Sequence, residues 1–135
     1  MNYLLDTKAF VDHLRRGLKS KVTARILAAR PGSIYLCSVV LGELIYGAVR
    51  SGPANEAANR AMIAGLRMQF ATLSFDDAAA EEYGKLRAYL TAAGNVIGPN
   101  DLMIASIALA HGVTLVTHNI SEFNRAPRLM IEDWQ

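Results

Sequence analysis

Residues 97–119 read IGPNDLMIASIALAHGVTLVTHN, and the architecture follows from them. From Leu102 to Ala110 the side chains are apolar almost all round, the pattern of a helix buried on every side. Pro99 bars an earlier helical start, Asn100 is the expected N-cap, and Gly112 is the expected stop. Val113–Thr117, rich in β-branched residues, then reads as a core strand. Asp101, the one acid of the stretch, thus opens a buried helix that feeds a buried strand. An acid at a helix start commonly does no more than compensate the dipole, an effect of roughly 0.3–1 kcal/mol. Its significance depends on the other acids of the chain.

Upstream, the same alternation repeats. Met1–Leu5 is a short apolar run with Asp6 and Thr7 at its carboxyl end. Helical patterns over Ala9–Arg16 and Ser20–Ala29 are separated by Gly17 and closed by Pro31-Gly32. A second strand, Ser33–Cys37, leads through Ser38, an expected N-cap, into a helix over Val39–Arg50 that carries Glu43. After Ser51-Gly-Pro53 come a helix over Asn55–Phe70, a strand over Ala71–Phe75, and a long helix capped by Asp76 and stopped at Gly94-Asn95. Leu129–Ile131 is the expected fifth strand. Strands alternating with helices predict a single α/β domain over residues 1–135, with a parallel sheet of four to five strands covered on both faces.

Composition narrows the functional classes. A chain of 135 residues with just over half hydrophobic is large enough for one core and has no long polar tract. No apolar run approaches the roughly 18 residues of a membrane span. Cys37 is the only cysteine, which precludes an internal disulfide and a cysteine-based zinc site and suits a reducing cytoplasm. A net charge of +2 selects no partner, but six cations (Arg15, Arg16, Lys19, Lys21, Arg25 and Arg30) lie between His13 and Gly42 with no acid among them. Such a run forms a solvated helix face or lies along a polyanion.

In a parallel sheet the carboxyl ends of the strands share one edge, where sites form at the reversal of strand order. Asp6 ends the first strand, Asn119 follows the fourth, and Glu43 lies in the helix after the second. The helix opened by Asp101 runs back across the sheet, so its start returns to that edge. Taken singly, Asp6 is equally an Asx-turn residue, Asn119 a turn former and Glu122 a solvated loop acid. Glu43, among Leu41, Leu44 and Ile45, is harder to explain, because an unpaired buried glutamate is costly. Converging carboxylates need a cation, and an all-oxygen set selects Mg²⁺ or Mn²⁺. Without one, like charges about 6 Å apart repel by roughly 2–3 kcal/mol at an effective dielectric near 20. Removing one such charge is therefore expected to stabilise the metal-free protein. Asp6→Asn is expected to be the cleaner substitution, because Asp101 opens a helix.

Four blocks occur in order: Leu4-Leu-Asp6-Thr7, Ser38-Val-Val-Leu-Gly-Glu43-Leu-Ile-Tyr-Gly47, Ile97-Gly-Pro-Asn-Asp101-Leu-Met-Ile-Ala105 and Leu115-Val-Thr-His-Asn119-Ile-Ser-Glu-Phe123. With these spacings the chain resembles the PIN-domain family, in particular the VapC-type toxins of toxin–antitoxin pairs, over essentially its whole length. The resemblance implies a strand order of 3-2-1-4-5. It also implies a Mg²⁺-dependent endoribonuclease, usually a homodimer, held inactive by a small VapB-like antitoxin. Asp6 and Asp101 then fall on the metal-binding aspartates and Glu43 on the third acid. Two departures stand out: Asn119 occupies a position where many members carry Asp, and Lys8 one where a small polar residue is common.

The chemistry expected on this basis is metal-assisted hydrolysis of an RNA phosphodiester. Thr7 and Thr117 would orient the ligands, Lys8 would pair with Asp6 or reach the substrate phosphate, and Glu122 would support the site from outside. The antitoxin is expected in an apolar groove formed by Tyr46, Val49, Met62 and Leu66. A catalytically weak PIN-fold module that binds RNA or protein is the alternative, favoured by Asn119 and Lys8. A receiver-type phosphoacceptor domain is disfavoured, since it needs adjacent acids near the first strand and a lysine late in the sheet.

Overall fold

The computed structural model describes all 135 residues. Five strands, β1 (Tyr3–Leu5), β2 (Ile34–Cys37), β3 (Ala71–Leu73), β4 (Thr114–Val116) and β5 (Ile131–Glu132), form one sheet in the order β3-β2-β1-β4-β5. Every neighbouring pair is parallel. The fold class and strand order are those expected. Seven helices connect the strands: α1 (Thr7–Arg16), α2 (Lys21–Ala28), α3 (Ser38–Arg50), α4 (Glu56–Gln69), α5 (Asp77–Ala92), α6 (Pro99–His111) and α7 (Ile120–Phe123).

The chain winds outward from β1 through β2 to β3, then crosses back through α5 and α6 to β4 on the other side of β1. Parallel crossovers share one hand, so this reversal sends α5 and α6 to the face opposite α1–α4. Both faces of the sheet are thereby covered, which is why its three central strands, β1, β2 and β4, are largely buried without alternation. Leu4, Leu5, Leu36 and Leu115 are fully buried at its centre. The helix α6 is buried from Ile104 to Ala108, and it packs along α5 more extensively than any other two elements pack together.

Boundaries shift where local chemistry outweighs pattern. The helix α6 begins at Pro99 with Gly98 as N-cap, not at Asn100. Proline suits the first helical position because its missing N–H would be unpaired there anyway. Likewise α3 begins at Ser38, with Cys37 at the cap position and no side-chain cap. The outer strands are shorter than the apolar runs suggest, and β5 lies at Ile131–Glu132 instead of Leu129–Ile131. Two short elements escape the sequence pattern: α7 and a 3₁₀ turn over Gly17–Lys19.

Gly112 closes α6 in the left-handed region, φ 63°, and a Cβ there would meet no atom within 4 Å. Its requirement is therefore conformational and not steric. Gly112→Ala is expected to cost about 1–2 kcal/mol and lower the melting temperature by several degrees. An unchanged melt would show that the α6–β4 turn relaxes freely.

Candidate active site

The strand order reverses on either side of β1, and the candidate site lies at that edge. Asp6 is the N-cap of α1: its Oδ1 accepts the Ala9 N–H at 2.9 Å, and its Oδ2 accepts the Thr117 hydroxyl at 2.6 Å. The Thr117 oxygen in turn accepts the Asn119 N–H at 3.0 Å, which fixes the direction of its proton. One hydroxyl thus ties the carboxyl ends of β1 and β4 together. Asp6 is only 7 % exposed. Burial pushes its pKa up, against the lowering effect of Thr117, the Ala9 N–H and Lys8, and Glu43 adds to the rise.

Glu43 projects from α3 between two donors, the Thr7 hydroxyl at 2.6 Å and the Asn100 amide at 3.4 Å. Asp101, in the first turn of α6, has no hydrogen-bond donor of its own among the side-chain bonds of the protein. Its pKa is raised to about 6, first by burial and then by Glu122, Glu43 and Asp6, with only Lys8 opposing. Lys8 is exposed and forms no salt bridge, so it does not neutralise Asp6 as an ion-pair partner. Asp6, Thr7, Lys8, Glu43, Asp101, Asn119 and Phe123 line one cavity of about 230 Å³.

Glu122 stands just behind this cavity. Its Oε1 accepts the Gly98 N–H at 2.8 Å and its Oε2 accepts the Asn119 amide at 2.9 Å. Those two bonds hold its pKa down. It is therefore a charged neighbour of Asp101 and an anchor for the start of α6, and Asn119 is turned toward it. Phe123 escaped the sequence analysis as a wall of the cavity, and Asn100 as a partner of Glu43. The Ile120–Phe123 turn that places Phe123 has too few residues to show periodicity. His118 points away, bonded to Asp133 at 2.8 Å.

No three acidic, histidine or cysteine side chains are drawn together as a ready-made metal cage. The donor chemistry nonetheless fits a hard divalent cation. The donors that line the cavity are oxygens, the carboxylates of Asp6, Glu43 and Asp101, the Asn119 amide and the Thr7 hydroxyl, with Lys8 the one cation on its wall, and Asp101 accepts no hydrogen bond. Mg²⁺ keeps several waters and binds through one or two carboxylates, so a closed cage is not what it requires. Asp6 and Asp101 would hold it, with Glu43 alongside.

The PIN domain model matches residues 3–129 of the chain. The chain is 37 % identical to ribonuclease VapC2 of Rickettsia felis over 134 residues, covering 99 % of this chain and 98 % of the relative. It is 40 % identical to the tRNA(fMet)-specific endonuclease VapC of Salmonella typhimurium, with the same coverage. Among solved structures, the VapBC2 complex of Rickettsia felis bound to a promoter DNA fragment contains a chain that superposes with a TM-score of 0.90 at 36 % identity, all of both chains being covered. A chain of DNA-bound VapBC from Salmonella typhimurium gives 0.89 at 32 % identity, covering 100 % of this chain and 99 % of that one.

The geometry reverses the choice of stabilising substitution. Asp6 caps α1 and carries two bonds, so removing its charge disturbs the fold, whereas Asp101 has no bond to lose. The folded pKa of Asp101 lies near 6 against an ordinary 3.8, so the folded chain holds the proton more tightly than the unfolded chain. Its favourable contribution is complete below about pH 4 and is lost as pH rises through about 6. In EDTA at pH 7.5, Asp101→Asn is expected to be more stable than the wild type by about 1 kcal/mol after allowance for partial exposure, and hence to melt higher, and to match it near pH 4. A gap that is equal at both pH values would mean that charge is not its source.

Proposed function

The chain belongs to the PIN-domain family, and from that premise we propose that it is a Mg²⁺-dependent endoribonuclease, the toxin of a type II, VapBC-like toxin–antitoxin pair. The observation that carries this reading is Asp101: a half-buried carboxylate without a donor, facing Asp6 and Glu43 across one cavity. Relatives named as ribonucleases and endonucleases over their full length support it. Mn²⁺ would substitute, since it takes the same oxygen donors.

When bound, the cation would lower the pKa of water and offset charge on the scissile phosphate and leaving oxygen. The protein's own part is orientation. Thr117 and the Ala9 N–H aim the Asp6 carboxylate, and Thr7 aims Glu43. Asn119 lines the cavity while its amide is held by Glu122, leaving its carbonyl oxygen as an acceptor for water. Lys8, exposed and lining the cavity, would meet a substrate phosphate. The basic helices α1 and α2 would guide the strand, although Arg16 and Arg25 are engaged with Asp12 and Glu132.

The proposed partners are RNA, a small VapB-like antitoxin and a second copy of the chain. The solved relatives are described as VapBC assemblies. Tyr46, Val49 and Met62 are exposed apolar residues on α3 and α4 that suit a partner's amphipathic helix. Leu66, also expected in that groove, is instead only 2 % exposed and belongs to the core. No helix is long and apolar enough to cross a membrane.

Purified, antitoxin-free protein is expected to cut RNA in Mg²⁺ or Mn²⁺ and to stop in EDTA. Asp6→Asn and Asp101→Asn are each expected to lose activity roughly 100-fold or more. Thr117→Val should lose about 10–100-fold, with partial recovery at high Mg²⁺, because it acts through the orientation of Asp6. Undiminished cutting by either aspartate variant, or in excess EDTA, would exclude metal-assisted hydrolysis. Gel analysis of total RNA gives the answer.

A further inference from the structure

A second cleft adjoins the acidic cavity. It lies between α1, α3 and α4 and shares two wall residues with that cavity, Thr7 and Glu43. Those two are hydrogen-bonded to each other at 2.6 Å, so they form one partition with the acids on one side and the cleft on the other. We infer that this cleft seats a nucleobase next to the scissile phosphate, and that Arg15, Gly47 and Asn59 help to set which RNA sequence is cut. The inference rests on the ribonuclease reading for its placement, and it deepens that reading from RNA in general to a base-selective site.

Size comes first. The cleft holds about 190 Å³, below the range of roughly 300–1,000 Å³ typical of sites for drug-sized molecules, so it suits a single ring system. Its walls have the two characters a base requires. Val11, Leu14 and Met62 offer apolar contact to a ring face, while Arg15 and Asn59 offer groups that read an edge. Asn59 donates one amide hydrogen to Ser51 Oγ at 3.0 Å, which fixes its plane, and its carbonyl oxygen has no partner within the protein. Arg15 is exposed and forms no salt bridge.

Charge favours a nucleotide over an uncharged guest. Lys8 and Arg15 are seven residues apart on α1, hence on one face and about 10 Å apart along its axis. One lines the acidic cavity and the other the cleft, so a phosphate chain crossing the partition meets both. Gly47 keeps the cleft open. It sits inside α3, where glycine is a poor helix former, and a Cβ added there would meet nothing within 4 Å. A side chain at this position would project into free space instead of clashing with the helix's neighbours.

Gly47→Leu therefore plugs the cleft without straining α3, and Asn59→Ala removes an edge reader without plugging it. The first measurement follows amide shifts of the ¹⁵N-labelled full chain carrying Asp101→Asn, in EDTA, titrated with each of the four nucleoside 5′-monophosphates. One nucleotide is expected to bind about tenfold or more tightly than the weakest, with shifts at Val11, Asn59 and Met62. Both added substitutions are expected to level the four affinities. The second measurement maps cut sites of the otherwise unaltered chain and of Gly47→Leu in a randomised RNA with Mg²⁺. Gly47→Leu is expected to cut with weaker sequence preference while melting no lower than the unaltered chain. Selective nucleotide binding in the cleft without any RNA cutting would refute the ribonuclease reading and leave the base site standing. Equal affinities, shifts confined to other surfaces, or an unchanged cutting pattern in Gly47→Leu would overturn the base site itself.

Discussion

The hydrogen bond from Thr117 to Asp6 is the contact on which the site depends. It joins residues 111 positions apart in sequence, at the ends of two adjacent parallel strands. Asp6 meanwhile caps α1, and the same Thr117 oxygen receives the N–H of Asn119, so two strand ends, one helix start and the β4–α7 turn share a single buried polar knot. Buried polar groups are tolerable only when satisfied, and here each satisfies another. A carboxylate held at both oxygens cannot wander, and the position of Asp6 is set before any ligand arrives.

Around that knot the acids are treated unequally. Glu43 has Thr7 and Asn100, and Glu122 has the Gly98 N–H and Asn119, whereas Asp101 has only the charges of its neighbours. The difference shows in protonation: Glu122 is held below its ordinary range and Asp101 is pushed to about 6. A group so placed gains most from an added cation. The clustering of strained ionisation in one cleft is a physical reason to place function there, independent of family resemblance.

The helices serve the site as much as the core. The start of α6 is carried to the strand edge by the return across the sheet, and its apolar body gives Asp101 a rigid mount. Helices α1 and α3 supply Thr7 and Glu43 to the partition, while α4 closes the cleft beyond it. Rigid elements on three sides place side chains more accurately than loops would. Only Asn119 and Phe123 depend on a short turn, and that turn is pinned by Glu122.

Much of this was legible in the chain. Alternating apolar runs and helical periods gave the parallel α/β sheet, because burial on both faces imposes that pattern directly. Asp6, Glu43, Asp101 and Asn119 were legible as candidates because strand ends and helix starts share one edge in such a sheet. Tertiary structure decided what local pattern does not encode. Leu66 turned inward and Met62 outward, since the packing partner of each face lies elsewhere in the chain. Glu122, 24 residues away in sequence, came to hold the Gly98 N–H and so to anchor the start of α6. Asp6 became a capping residue and Asp101 the unpartnered acid, which reversed the expected stabilities of their variants. Hydrogen bonds between residues distant in sequence made those choices, and their partners become adjacent only when the sheet closes.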